Sequence, residues 1–80
     1  MSIHDKLNKL SEKYEKYTLD EEGLVEFLKK KFPSESKLAI KDLKDEGVED
    51  PELELTPGRI ADHITKSEDF LKQVEIFLKK

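Results

Sequence analysis

Apolar side chains recur at intervals of three and four residues along most of this 80-residue chain, and this spacing is the feature that most constrains its fold. Near the start, Ile3, Leu7, Leu10, Tyr14 and Tyr17 follow one another in such steps. Because an α-helix has about 3.6 residues per turn, this spacing places the apolar side chains on one face. The pattern therefore predicts an all-α protein. The same spacing recurs within residues 24–32, 38–43, 60–64 and 70–78.

Polar cap residues and helix breakers divide the chain into predicted helices. Ser2 is the N-cap candidate of a first helix over residues 3–16. Residues 18–21, Thr-Leu-Asp-Glu, have the form of a capping box and predict the start of a second helix. Pro33 predicts its end, because the residue before a proline avoids the helical conformation.

The third predicted helix has the clearest stop signal in the chain. Ser34 is its N-cap candidate, and Gly47 fits the left-handed position that ends a helix. Val48 is then expected to fold back onto Leu43, as in a Schellman motif. The following connection, residues 48–55, alternates leucine with glutamate near its end, which allows a short extended piece.

Two more helices are predicted in the last third of the chain. Thr56 and Pro57 form an N-cap followed by a proline at the first helical position, and Ser67 is the N-cap candidate of the last helix. The sequence therefore predicts one domain, a compact bundle of four to five short helices. Its predicted core consists of Leu24, Phe27, Leu28, Phe32, Leu38, Leu43, Ile60, Ile64, Leu71, Val74 and Phe77.

The last two predicted helices, within residues 57–80, resemble a helix-turn-helix pair in length and order. Ala61 matches the alanine common in the first helix of such families. Thr65 stands where glycine is usual, and Lys66 stands where an apolar residue is usual. The resemblance implies DNA binding by the last helix, although that helix begins with acidic residues that would face the phosphates. The DNA-contacting residues on this interpretation are Arg59, Lys66, Lys72 and Gln73.

Negative charge is concentrated in the middle of the chain. The formal net charge is −4, and residues 34–56 contain three lysines against eight acidic residues. An acidic surface of this kind attracts a partner with a basic surface. Ile76 lies off the apolar face of its predicted helix and is expected to be exposed. The residues predicted to bind a protein are Asp45, Glu46, Glu49, Asp50, Glu52, Glu54 and Ile76.

Catalytic and metal-binding patterns are not found in the sequence. His4 and His63 are the only histidines, and neither has a second metal ligand one helical turn later. We therefore expect no enzymatic activity, no cofactor and no metal. The chain has no cysteine and no apolar stretch near the roughly 20 residues that span a bilayer, so we expect a cytoplasmic location without membrane insertion.

These observations favour a small adaptor or regulatory domain that acts by contact with another protein. DNA binding through residues 57–80 is the alternative. The oligomeric state is left open, and self-association through the apolar stripe of residues 3–17 is one possibility.

Overall fold

The computed structural model describes residues 2–79 and contains helices but no β-strand among them, so the all-α prediction is confirmed. Two helices of 11 residues and two of 13 residues form most of the structure, and three shorter helices connect them. Four long helices and one short helix correspond to the five predicted. The helices are α1 (Ile3–Lys13), α2 (Glu15–Leu19), α3 (Glu21–Lys31), α4 (Pro33–Asp45), α5 (Pro51–Glu54), α6 (Pro57–Ala61) and α7 (Ser67–Lys79).

The first predicted helix is interrupted at Tyr14. Ser2 caps α1 as predicted, since its hydroxyl accepts a hydrogen bond from the backbone N–H of Asp5 at 3.3 Å. Tyr14 then has an extended backbone (φ −115°, ψ 114°), and the chain resumes as the short helix α2. No glycine or proline marks this break in the sequence. Tyr14 and Tyr17 still pack against the core, so the apolar stripe continues across the break.

The N-cap of α3 lies two residues later than the capping box predicts. Thr18 is inside α2, where its hydroxyl donates a hydrogen bond to the carbonyl oxygen of Glu15 at 2.9 Å. Asp20 takes the cap position, and its carboxylate accepts from the N–H of Gly23 at 3.3 Å. The acids of the first turn and the lysines of the last turn complement the helix dipole of α3.

Helix α4 begins at Pro33 and ends in the predicted Schellman motif. The N-cap is Phe32, which has no side-chain oxygen, so the expected cap by Ser34 is wrong. At the other end, the N–H of Val48 donates to the carbonyl of Leu43 at 3.1 Å. Gly47 has a φ of 88°, in the left-handed region that glycine adopts at little cost.

The connection after α4 contains a helix instead of the extended piece. Residues Pro51–Glu54 form the single turn α5, with proline at its first position. Thr56 caps α6 as predicted, because its hydroxyl accepts from the N–H of Arg59 at 3.2 Å.

The core is built mainly from α1, α3, α4, α6 and α7, and it differs from the prediction at several positions. Leu38 is 48% exposed, so its assignment to the core is wrong. Seven buried residues were absent from the predicted core, namely Leu7, Val25, Ala39, Leu55, Ala61, Phe70 and Leu78. Phe27, Phe32, Ile64, Leu71 and Phe77 are partly buried against the core. The buried apolar residues are Leu7, Leu24, Val25, Leu28, Ala39, Leu43, Leu55, Ile60, Ala61, Phe70, Val74 and Leu78.

The short helix α6 packs against α1, α3 and α4. Ion pairs and hydrogen bonds between charged side chains connect it and the residue after it to α4 and α1. Arg59 forms a bidentate ion pair with Glu46, with N–O distances of 2.6 and 2.9 Å. This carboxylate raises the pKa of Arg59, first by hydrogen bonding and then by its charge. Just after α6, Asp62 is hydrogen bonded to His4 of α1.

Candidate protein-binding site

Helix α5 projects a leucine into solvent from the middle of the acidic segment. Leu53 is 80% exposed, whereas Leu55, two residues later, is only 5% exposed and belongs to the core. Pro51 is buried and fixes the start of this single turn. Buried residues therefore fix both ends of the short helix, and between them it carries an apolar side chain that is not packed in the core.

A first cleft lies between α4 and α5 on one side of this leucine. Its lining includes Ile40 and Pro51, which supply apolar surface, and Asp50 and Glu52, which supply negative charge. Lys44 of α4 is the one basic residue in this lining.

Two further clefts lie between α3 and α5 on the other side of Leu53. Their apolar floor is formed by Val25 and Leu55, both of which are 5% exposed. Glutamates of both helices surround this floor. We refer to Leu53 and the acidic residues of the three linings as the Leu53 surface. Its acidic residues are Glu21, Glu22, Glu26, Asp50, Glu52 and Glu54.

The structure thus brings together only part of the predicted acidic patch. Asp50, Glu52 and Glu54 line the clefts, but Asp45 ends α4 and Glu49 lies in the exposed connection that follows. Glu46 faces Arg59 and is engaged in its ion pair, so it belongs to the contact between α4 and α6.

The acidic residues of α3 are the part of the site that sequence reasoning missed. Glu21 and Glu22 lie in the first turn of α3, where they complement the helix dipole, and Glu26 forms an ion pair with Lys29 at 3.1 Å. These residues precede α5 by about 30 positions, and no local signal relates the two segments. Only the packing of residues 25 and 55 in one core places them together.

Ile76 is exposed as predicted, but it lies in a different part of the molecule's surface. It is 38% exposed on α7, in a shallow cleft lined entirely by side chains of that helix. This lining shares no residue with the Leu53 surface. The structure therefore does not bring Ile76 together with the acidic residues of the Leu53 surface.

The residues of the DNA-binding alternative are distributed over α6, α7 and their connection. Arg59 is paired with Glu46, and Lys66 is exposed beside Asp69 in the connection before α7. Lys72 is exposed on α7 in the cleft that contains Ile76. Gln73 is half-buried on the same helix.

Tyr17 of α2 is half-buried, and its phenol has a raised pKa. Burial raises the pKa of its phenol to about 12, and the negative charge of Glu21 adds to the effect. The neutral phenol is therefore the form that the folded chain stabilises.

The two histidines make separate contacts with aspartates. His63 Nε2 lies 2.5 Å from Asp42 Oδ2 on α4, and His4 Nε2 lies 2.5 Å from Asp62 Oδ1. Within residues 2–79, no three acidic or histidine side chains are grouped so that they could hold a metal ion. Over the same residues, each helix is too short or too polar to cross a bilayer.

Comparison of the chain with protein-family models, with curated protein sequences and with solved structures gave no significant match.

Proposed function

We propose that this chain is a non-catalytic protein-binding domain, and that its Leu53 surface binds a basic segment of another protein. The observation that carries the proposal is a leucine 80% exposed between clefts that contain six carboxylates and one lysine. An apolar anchor with an acidic rim fits an amphipathic segment that has lysine or arginine around one apolar side chain.

The two parts of this surface make different contributions to binding. Burying a leucine side chain contributes about 1.5–3 kcal/mol, which favours a long-lived complex. Exposed ion pairs at the rim contribute only about 0.2–1 kcal/mol each, but the negative field speeds the encounter with a basic partner. The carboxylates therefore determine which partners approach, and Leu53 determines how slowly they leave.

A defined probe tests this proposal without knowledge of the natural partner. We would titrate the 80-residue chain with a synthetic amphipathic peptide of about 18 residues that carries lysine and leucine on opposite faces. Backbone amide shifts should move for α5 and the first turns of α3, and binding should weaken as salt is added. Leu53→Gln should weaken binding about tenfold, because the burial of one large apolar side chain is lost.

The chain offers a closely matched control for Leu53. Leu19 is 79% exposed and does not line the three clefts, so Leu19→Gln makes the same chemical change elsewhere. Glu52→Lys should weaken binding and slow association, whereas Glu12→Lys on α1 should have little effect. The proposal is wrong if Leu19→Gln weakens binding as much as Leu53→Gln does, or if the shifts map to another surface.

DNA binding through α6 and α7 is the less supported alternative. Lys66 and Lys72 are exposed, which favours it, but acidic residues accompany both in their clefts and Arg59 is held by Glu46. Titration with mixed duplex DNA at low and moderate salt distinguishes the two functions. Tight, salt-sensitive binding that is lost in Lys72→Glu would favour DNA over a protein partner.

A cytoplasmic location is part of the protein-binding proposal and is supported by the absence of cysteine.

A further inference from the structure

Helix α7 carries a shallow cleft whose charged residues alternate in sign along the helix, so that the lining read backwards has every charge reversed. Six residues form it, two of them apolar and four charged. They recur at helical spacings along one side of α7, next to the buried residues that fix this helix on α1 and α3. The six are Glu68, Leu71, Lys72, Glu75, Ile76 and Lys79.

The order of these residues is self-complementary under a two-fold axis. If a second copy of α7 lies antiparallel, with the axis at the height of the bond between residues 73 and 74, Glu68 meets Lys79 of the second copy. Lys72 then meets Glu75 of the second copy, and Leu71 lies at the level of its Ile76. Glu75 and Lys79 form an exposed ion pair within their own helix at 3.3 Å, so both would have an intrahelical and an intermolecular partner. Each of these two acid–base pairs occurs twice in the dimer, as the two-fold axis of an isologous interface requires.

The local charge also favours a second copy on this face. Two acidic and two basic residues make the lining neutral, although the whole chain has a formal net charge of −4. Two copies would repel each other at the strongly acidic Leu53 surface, but they would not do so along α7. Ile76, which is 38% exposed, would be removed from water there.

We propose that the chain forms an antiparallel homodimer through this face of α7. A helix of 13 residues is about 20 Å long, so the interface is at the small end of specific protein contacts. The dimer is accordingly a weak one, with a dissociation constant on the order of 100 µM. The stripe of residues 3–17 does not compete with it, because those apolar side chains pack against the core.

Charge reversal at one pair tests the register of the dimer. In Lys72→Glu, two acidic residues oppose each other at both symmetry-related positions, and in Glu75→Lys two basic residues do so. Each variant alone should therefore associate at least about tenfold more weakly than the native chain. An equimolar mixture of the two variants should associate again, because every opposed pair in the mixed dimer has opposite charges.

Sedimentation equilibrium and concentration-dependent amide shifts up to about 1 mM would measure this association. Lys41→Glu on α4 is the control for Lys72→Glu, since it changes the net charge by the same amount and in the same direction without touching α7. Circular dichroism would verify that each variant is folded. A native chain that stays monomeric over this range would contradict the proposal. So would single variants that associate like the native chain, or a mixture that associates no better than its components.

Discussion

At the scale of single residues, Ser36 has a buried side-chain oxygen that no group within the described residues satisfies. Its hydroxyl oxygen is buried in α4, the residue being 3% exposed, and it has no hydrogen-bond partner within residues 2–79. A buried hydroxyl without a partner costs about 1–3 kcal/mol. We therefore expect Ser36→Ala to raise the free energy of unfolding by about 1 kcal/mol, as measured by urea denaturation.

Ser34 provides the comparison in the same helix. Its side chain is exposed, so Ser34→Ala changes only the helix propensity and should alter stability much less. A loss of stability in Ser36→Ala would show that the hydroxyl has a partner in solution.

Tyr17 gives the chain a sensitivity to alkaline pH. Its pKa is raised from 10.0 to about 12 by burial and by Glu21, so the folded state holds the phenolic proton more tightly than the unfolded state. The resulting stabilisation is fully present below pH 10 and is lost as pH rises towards about 12. We expect Tyr17→Phe to reduce this loss, which chemical denaturation over an alkaline pH series would measure.

The second tyrosine controls for the general effect of high pH. Tyr14→Phe keeps Tyr17 and should retain the alkaline loss of stability. An ultraviolet titration in which no tyrosine resists deprotonation near pH 11 would contradict the assignment, because a phenol with a pKa of about 12 stays mostly protonated there.

At the scale of elements, Gly47 ends α4 and determines the direction in which the chain continues towards α5. Its φ of 88° is unfavourable for residues with a Cβ, although no atom lies within 4 Å of the place where that Cβ would stand. Only backbone strain opposes Gly47→Ala, and we expect it to lower the free energy of unfolding by about 1–2 kcal/mol. Thermal and urea denaturation would measure this loss.

Gly58 in α6 shows what the same change does without that strain. Its φ is not positive, and an added Cβ would stand 3.6 Å from the His4 ring, an ordinary contact distance. Gly58→Ala should therefore leave stability unchanged or raise it slightly. Equal losses in both variants would mean that the left-handed conformation is not what makes glycine necessary at position 47.

At the scale of the whole molecule, the two proposed surfaces are separate. The Leu53 surface lies on α3 and α5, with α4 beside it, and the dimer face lies on α7. Their linings share no residue, so Leu53→Gln should leave self-association unchanged and Lys72→Glu should leave peptide binding unchanged. The failure of one proposal can therefore be distinguished from the failure of the other.

The sequence by itself determined the local features of this protein. The spacing of apolar residues predicted the helices, and Ser2, Thr56 and Gly47 predicted helix ends correctly because caps and stop signals act over a few neighbouring residues. The predicted helix start was wrong where two nearby residues were both suitable N-caps. Asp20, not Thr18, is the N-cap of α3.

Only the tertiary structure decided which distant segments meet. The exposure of Leu38 and the approach of the α3 glutamates to Leu53 depend on how helices pack into one core. The break at Tyr14 is likewise visible only in the structure, since no local sequence signal marks it. Packing depends on side chains that are far apart in the sequence. Apolar residues spaced three to four positions apart show that one face of a helix is apolar, but they do not show which segment that face contacts. The Leu53 surface is therefore formed by the tertiary structure, although each of its residues is visible in the sequence.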